Sequence, residues 1–443
     1  MCGFGVSNIN NLKTVNAKCQ KRGPDLTNSK VVNGIQFLHN LLHITGEQIP
    51  QPFIKNNIAC VFNGEIYNYK SFGNYQSDGE SIIDVYLANG DKFVSLLDGE
   101  FALCLIDFSK NKIIIANDVF ACKPLWYEFV NEKFCIASYN SQLQGLGFNN
   151  GKKLKGNKTE VYDLKTLKLI SSFDNIIFDL TQHKNTYDDW IYAFQNSISK
   201  RIANTDKGMF IGMSSGYDSG AIACELENQH ANFKAYSIIN NENNEILTRR
   251  FAKITDAEPF TLTSNEFQKW KGELRHNCEN FQYQDHFFNY DIKKDQASMG
   301  LSAICHRASL DGRRIYFSGQ GADEILSDYG FAGKRIYKHS SFGGLFPETL
   351  EGFFPWHSFW DGTQVQYLNK EEYVAGHFGI ETRYPFLDRD LVQEFLWLST
   401  ELKNKKYKNA LAEYLEQNNF PFEASEKRGF HVTEKGKGIG KVK

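Results

Sequence analysis

Two regimes of patterning predict a two-domain α/β protein, with a strand-rich N-terminal part and a C-terminal part built on a parallel sheet covered by helices. The chain has 443 residues, which at about 150 residues per domain is too long for one. As far as about residue 175 the apolar segments are short, rich in β-branched and aromatic residues, and bounded by Asn, Gly or Asp, as strands are. Beyond that point, short apolar strands alternate with amphipathic helical stretches, the pattern of a parallel sheet with helices on its faces.

In chain order, 58–62, 101–106, 112–116 and 134–137 read as strands. Between them, 79–89 sets Ile82, Ile83, Val85, Tyr86 and Leu87 along one side of a helix. Residues 161–177 read as a hairpin, and the polar stretch 179–189 as a boundary. An amphipathic helix at 190–203 follows, then a strand at 209–212 that runs through a Ser/Gly turn into a helix at 221–227. Residues 235–239 and 314–317 are two further short strands. The expected domains are 1–178 and 186–443.

Hydrophobic residues make up 41% and charged residues 23%, enough for a full globular core. The net charge of -2 gives no field favouring nucleic acid or an anionic membrane. The basic, glycine-containing stretch 434–443 reads as a solvated terminus rather than a nucleic-acid arm. Nine scattered cysteines, with no CxxC pair, suggest neither a disulfide framework nor a zinc site. No apolar run is long enough to span a membrane and no signal peptide is evident, so a cytoplasmic protein is expected.

Cys2 follows the initiator Met. Loss of Met1 would leave an α-amine of reference pKa near ~8 that can act as base for the thiol on the same residue. The opening Met-Cys-Gly-Phe-Gly is followed by Arg22-Gly23-Pro24-Asp25, by Asn63-Gly64-Glu65-Ile66-Tyr67-Asn68, by Ser77-Asp78-Gly79-Glu80 and by Leu97 to Ala102. With Asn117 to Tyr127, these segments resemble, in order and spacing, the N-terminal glutaminase domain of the asparagine synthetase family, a class II glutamine amidotransferase. On its own, Asn63-Gly64 reads as a hairpin turn.

A second set lies downstream. Ser214-Ser215-Gly216-Tyr217-Asp218-Ser219 sits between a strand and a helix, where small residues let backbone N–H groups approach phosphate. It resembles the SGGLDS loop of ATP pyrophosphatases. Ser318 to Glu324 resembles the family's SGEGADE, Glu381 to Asp388 its EARVPFLD, Lys408 to Leu411 its K-x-IL, and Lys427-Arg428-Gly429-Phe430 its K-x-GF. The resemblance to asparagine synthetase therefore covers nearly the whole chain.

That resemblance implies an N-terminal four-layer αββα fold of the Ntn-hydrolase type, joined to an ATP-pyrophosphatase-like α/β synthetase domain. It implies that Cys2 attacks glutamine, that Asn63 and Gly64 hold the oxyanion, that Asp78 binds the substrate's α-ammonium, and that Glu65 is a further substrate-binding residue. In the second domain it implies that Ser214, Ser215, Gly216, Asp218, Ser219, Ser318 and Gly319 hold ATP. Asp218 and Asp323 would carry Mg²⁺, and Lys408 would assist catalysis. The implied reaction is ATP-dependent amidation of a small carboxylate through an acyl-adenylate, with ammonia from glutamine carried between the domains. A homodimer is compatible with it.

Three departures from the family pattern bear on function. Leu41 stands where the family has the Arg that binds glutamine's α-carboxylate, with His43 or Lys55 as candidate replacements. Gln320 stands where the family has a Glu placed to take a proton from ammonia, and Gln is no base. In the acceptor segment Tyr290 to Ser298, Lys293, Lys294 and Gln296 replace Thr, Thr and Arg. These changes leave open an acceptor other than aspartate, such as a uronic acid. They also leave open a non-catalytic binding protein on the same scaffold. An internal cyclase is the third alternative, and the retained Cys2, Asn63, Gly64 and Asp78 argue against it.

Overall fold

The computed structural model describes residues 2–280 and 292–423. The chain folds as two compact units. One comprises residues 1–177 with 204–206 and 375–381, and the other 178–203, 207–374 and 382–443.

The first unit holds twelve strands among the described residues. They are β1 (Gly3–Ser7), β2 (Leu26–Val32), β3 (Ile35–Leu41), β4 (Phe53–Lys55), β5 (Ile58–Ile66) and β6 (Gly99–Asp107). They continue as β7 (Lys112–Asn117), β8 (Trp126–Val130), β9 (Lys133–Ala137), β10 (Lys152–Lys153), β11 (Lys158–Asp163) and β12 (Leu169–Asp174). One antiparallel sheet runs β10-β8-β9-β1-β3-β2 and the other β12-β11-β7-β6-β5-β4.

The period-2 alternation of strands decides how these layers stack. Phe4, Val6 and Ile136 from one sheet share a core with Ala59, Val61, Cys104, Ile113 and Ile115 from the other. The intervening Cys60, Phe62, Leu103, Leu105 and Ile114 face away, onto the helix Ser81–Asn89. On the far side, Leu38, Cys135 and Ala137 pack against Leu143 of the helix Asn140–Gly145. The result is helix, sheet, sheet, helix. Both faces of each sheet are covered at its centre, which is why β5, β6 and β7 read as nearly unbroken apolar runs rather than half-polar ones.

The second unit is built on a five-stranded sheet ordered β15-β14-β13-β16-β19. Its strands are β13 (Met209–Gly212), β14 (Phe233–Ile238), β15 (Ala257–Phe260), β16 (Ile315–Phe317) and β19 (Glu381–Arg383), and β17 (Gly330–Phe331) and β18 (Lys334–Arg335) form a separate small ladder. The β15–β14, β14–β13 and β13–β16 pairings are all parallel. From β13 the chain steps outward to β14 and β15, then returns on the other side of β13 as β16. That reversal is a topological switch point, where the loops leaving two adjacent strands part and open a crevice. Phe194 anchors the core, stacked 5.8 Å from Trp190 and 5.4 Å from Phe386, with Tyr414 edge-on at 5.0 Å.

Two local expectations are corrected, and one motif gains a structural role. Strand 58–62 continues to Ile66, so Asn63 and Gly64 are strand residues opposite Ala102 and Phe101 rather than a turn. The helix expected at 221–227 begins at Tyr217, which moves Asp218 and Ser219 into its first turn. The Glu381 to Asp388 motif includes a brace. Buried Asp388 pairs with Lys200 at 2.7 Å and Arg201 at 2.9 Å and caps the helix Arg389–Trp397. Burial alone would raise its carboxyl, but the two cations hold it well below the usual range. No helix among the described residues is long and apolar enough to cross a membrane.

Candidate active site

Cys2 lies immediately before β1, a central strand, and is 7% exposed. Its backbone carbonyl accepts 2.8 Å from Nε of Arg22, itself fully buried and packed on the Tyr139 ring. The thiol points to the Leu42 carbonyl at 3.8 Å. Burial pushes it up to about 12, and the Glu65 and Glu381 carboxylates add to the rise. With Met1 attached, this cysteine is a thiol and not a thiolate at neutral pH.

Asn63 is fully buried in β5, and neither its side-chain oxygen nor its nitrogen has a protein partner. Leaving such a group unpaired costs roughly 1–3 kcal/mol, so an amide held this way is poised for a ligand. Gly64 beside it adopts φ +129°, and a Cβ there would lie 1.9 Å from the Glu100 carbonyl oxygen, so only glycine fits. Glu65 accepts 2.6 Å from the Thr45 hydroxyl. Asp78 accepts from the Ile66 N–H at 2.8 Å and the Gly79 N–H at 2.9 Å. Both carboxylates are buried, and both raise the nearby Tyr69 hydroxyl, although burial is the larger cause. Asp78 and Glu65 therefore share one neighbourhood, and Glu65 is also felt by Cys2.

The candidate replacements for the missing Arg are otherwise engaged. Leu41 is buried in β3. Lys55 pairs with Asp84 at 2.5 Å. The His43 ring contacts the Gly46 carbonyl at 2.7 Å.

In the second unit, a cavity of about 500 Å³ opens at the switch point. The loop after β13 and the first turn of the helix it enters contribute Ser214, Gly216, Asp218 and Ser219 to its wall, and the loop after β16 with the helix Ala322–Leu326 contributes Ser318, Gly319 and Asp323. The two loops touch, since a Cβ on Gly319 would lie 2.9 Å from Cβ of Asp218. Ser214 and Ser219 join through their hydroxyls at 2.9 Å. Ser215 gives its N–H at 2.7 Å and its hydroxyl at 2.5 Å to the Glu242 carboxylate, so the turn already receives an anionic group.

Lys408 is buried, unlike the exposed Lys405 and Lys406 before it. It takes a left-handed conformation ahead of the helix Asn409–Gln417, with φ 47°. Its ammonium sits 2.6 Å from both Asp218 and Asp323. Burial alone would lower its pKa, but the two carboxylates outweigh that and lift it to about 12. Tyr407 also donates to Asp323 at 2.9 Å.

This cluster fits magnesium. Mg²⁺ is usually held by one or two protein carboxylates plus substrate phosphates and water. Here two carboxylates from separate loops meet at one cation position, while no group of three or more His, Cys, Asp or Glu among the described residues offers an all-protein cage.

Four residues that sequence reasoning passed over help build the site. Glu242 holds Ser215, and Arg250 donates to the carbonyl of Ser214. Tyr407 braces Asp323, and Glu371 accepts 2.5 Å from the Ser318 hydroxyl. None belongs to a short motif. Glu371 stands in Lys370-Glu371-Glu372, which reads as a solvated helix face. Of the acceptor segment, Lys294 and Gln296 line the cavity. Tyr290, Asp291 and the side chain of Lys293 lie outside the described residues, as does Lys427 to Phe430.

Comparison with known proteins finds both domains. Residues 1–181 match the glutamine amidotransferase domain family and residues 190–371 the asparagine synthase family. Glutamine-hydrolysing asparagine synthetases of Rattus norvegicus and Homo sapiens are 26% and 25% identical, each match covering 95% of this chain and 81% of the relative. A Methanocaldococcus jannaschii protein is 27% identical over 413 residues, covering 86% of this chain and 72% of that one. The chain thus carries a glutamine amidotransferase domain followed by an asparagine synthase domain, in the company of relatives named as glutamine-hydrolysing asparagine synthetases.

Proposed function

We propose that this enzyme transfers the amide nitrogen of glutamine to a small carboxylate activated by ATP as an acyl-adenylate. The Lys408–Asp218–Asp323 cluster at the switch-point cavity is the observation that carries the reading. A polyphosphate needs N–H groups, cations and a metal, for which the Ser/Gly turns, Lys408 and the two aspartates respectively are the candidates. Asp218 and Asp323 would hold Mg²⁺, which would supply positive charge to offset that of the phosphates. Lys408 would face the departing pyrophosphate, and Ser214, Ser215, Gly216, Ser219, Ser318 and Gly319 would cradle the nucleotide.

In the first unit, Cys2 attacks the glutamine amide and the unpartnered Asn63 amide, with Gly64, receives the oxyanion. Asp78 and Glu65 take the α-ammonium. With Leu41 in place of Arg, the α-carboxylate has no guanidinium there, so glutamine binds weakly and free ammonia serves as an alternative donor.

The acceptor is a carboxylate with more negative charge than aspartate, or with its charge differently placed. Lys294 and Lys370 line the cavity, and Gln296 at the start of the helix Gln296–Leu310 offers no charge to aspartate's carboxylate. A charge-assisted bond is worth ~1.5–3 kcal/mol, or about tenfold to a hundredfold in affinity. ATP–pyrophosphate exchange with L-aspartate, succinate and D-glucuronate tests both levels. Exchange faster with succinate or D-glucuronate than with L-aspartate is expected. A kcat/KM for aspartate of ~10⁴ M⁻¹s⁻¹ or above would contradict the acceptor alone, and no exchange with any of the three would contradict adenylation.

A further inference from the structure

Attack of ammonia on an acyl-adenylate creates a nitrogen that carries one proton too many. That proton must leave before the tetrahedral adduct collapses to a neutral amide, so the cavity needs a base. Four carboxylates among the described residues line it: Asp218, Asp295, Asp323 and Glu371. Asp218 and Asp323 are bound to Lys408 at 2.6 Å. Asp295 caps the helix Gln296–Leu310, accepting from the Ala297 N–H at 3.1 Å and the Ser298 hydroxyl at 2.9 Å. The imidazole of His339 packs against the Tyr329 and Tyr337 rings. Gln320, on the loop after β16, cannot accept a proton in this range. Glu371 is the carboxylate left, and its one hydrogen bond is to the hydroxyl of Ser318, the first residue of that same loop.

We infer that Glu371 is the general base of the amidation half-reaction, taking over a task that Gln320 cannot perform. The inference rests on the adenylation reading above. The nitrogen lone pair forms the C–N bond and the carbonyl π pair moves to oxygen. Glu371 accepts a proton from nitrogen. The oxygen pair then returns, the C–O bond to phosphate breaks, and AMP leaves with that pair.

The surroundings suit a base that must both take and release a proton. Burial raises the Glu371 carboxyl to about 7, with Glu324 and Glu372 adding to the rise and Lys370 and the Ser318 hydroxyl opposing it. Tyr316 and Cys305 are the other titratable neighbours. A carboxyl at that value is half ionised near neutrality, where general-base catalysis is most effective. Below it the base form is lost, so amide formation should rise with pH through about 7.

The test is Glu371→Gln, with Glu371→Asp beside it, in the full-length enzyme supplied with ATP, ammonium chloride and each of the three carboxylates above. Glutamine can still accept the Ser318 hydrogen bond through its amide oxygen. Glu371→Gln should leave ATP–pyrophosphate exchange within about threefold of wild type, lower amide formation ~100-fold or more, and flatten the rise through pH 7. Glu371→Asp should recover part of the rate and the pH dependence. Amide formation within about threefold of wild type in Glu371→Gln, or exchange falling in parallel with it, would overturn the assignment. Absence of exchange in the wild type would instead remove the adenylation step on which the inference stands, and the inference with it.

Discussion

Cys2→Ala should abolish glutamine hydrolysis, by at least ~1,000-fold, while ammonia-dependent amidation persists at the wild-type rate. The loss is large because no other side chain can form the thioester. The structure adds a condition. Burial holds the thiol near 12 in the chain that carries Met1, so it stays protonated at neutral pH. Removal of Met1 places an α-amine on the same residue, where it can take the thiol proton. The active chain is therefore expected to begin at Cys2. Intact-mass measurement of the purified enzyme, paired with glutaminase assays of both forms, checks this. A chain that keeps Met1 and still hydrolyses glutamine would refute it, as would an active Cys2→Ala variant.

Asp218→Asn and Asp323→Asn should each lower ATP turnover ~100-fold or more, equivalent to about 2.7 kcal/mol of transition-state stabilisation. Glutaminase activity should be unchanged, because Cys2 lies in the other unit. Each substitution does two things. It removes a metal ligand, and it takes one of two counter-charges from buried Lys408. Breaking a buried ion pair on one side can cost ~3–5 kcal/mol of stability, so a melting curve must accompany the kinetics. Raised Mg²⁺ should recover part of the rate if ligand loss dominates. Near wild-type pyrophosphate release in either variant would count against the site.

The fold was legible where period and punctuation agreed. The change from short strands to alternating strands and helices marks the two units, and the Ser/Gly turn after 209–212 falls where β13 ends. What was missed has local causes. Phe4 and Val6 are core residues of a central strand, but β1 reads Gly-Phe-Gly-Val-Ser, with two glycines where strand formers are expected. In β2 the polar Leu-Thr-Asn-Ser-Lys hides an exposed edge. Asn63-Gly64 looks like a turn because Gly64 does take a positive φ. It stays in the strand because the Glu100 carbonyl approaches too closely for any side chain.

The candidate site was legible as separate segments rather than as a constellation. Sequence order cannot show that Lys408 reaches Asp218 and Asp323 across 190 and 85 positions, because that depends on a left-handed residue at a helix start. Glu371 was invisible for a related reason. A glutamate on an amphipathic helix reads as solvated, and only the approach of Ser318 turns it inward.

The central claim is that one chain moves nitrogen from glutamine to an adenylated carboxylate. Turnover with glutamine labelled with ¹⁵N in the amide, ATP, Mg²⁺ and succinate or D-glucuronate measures it directly. The account predicts ¹⁵N in the new amide, with glutamate, AMP and pyrophosphate each formed once per amide. Glutamate released with no AMP, or ADP and phosphate in place of AMP and pyrophosphate, would contradict it.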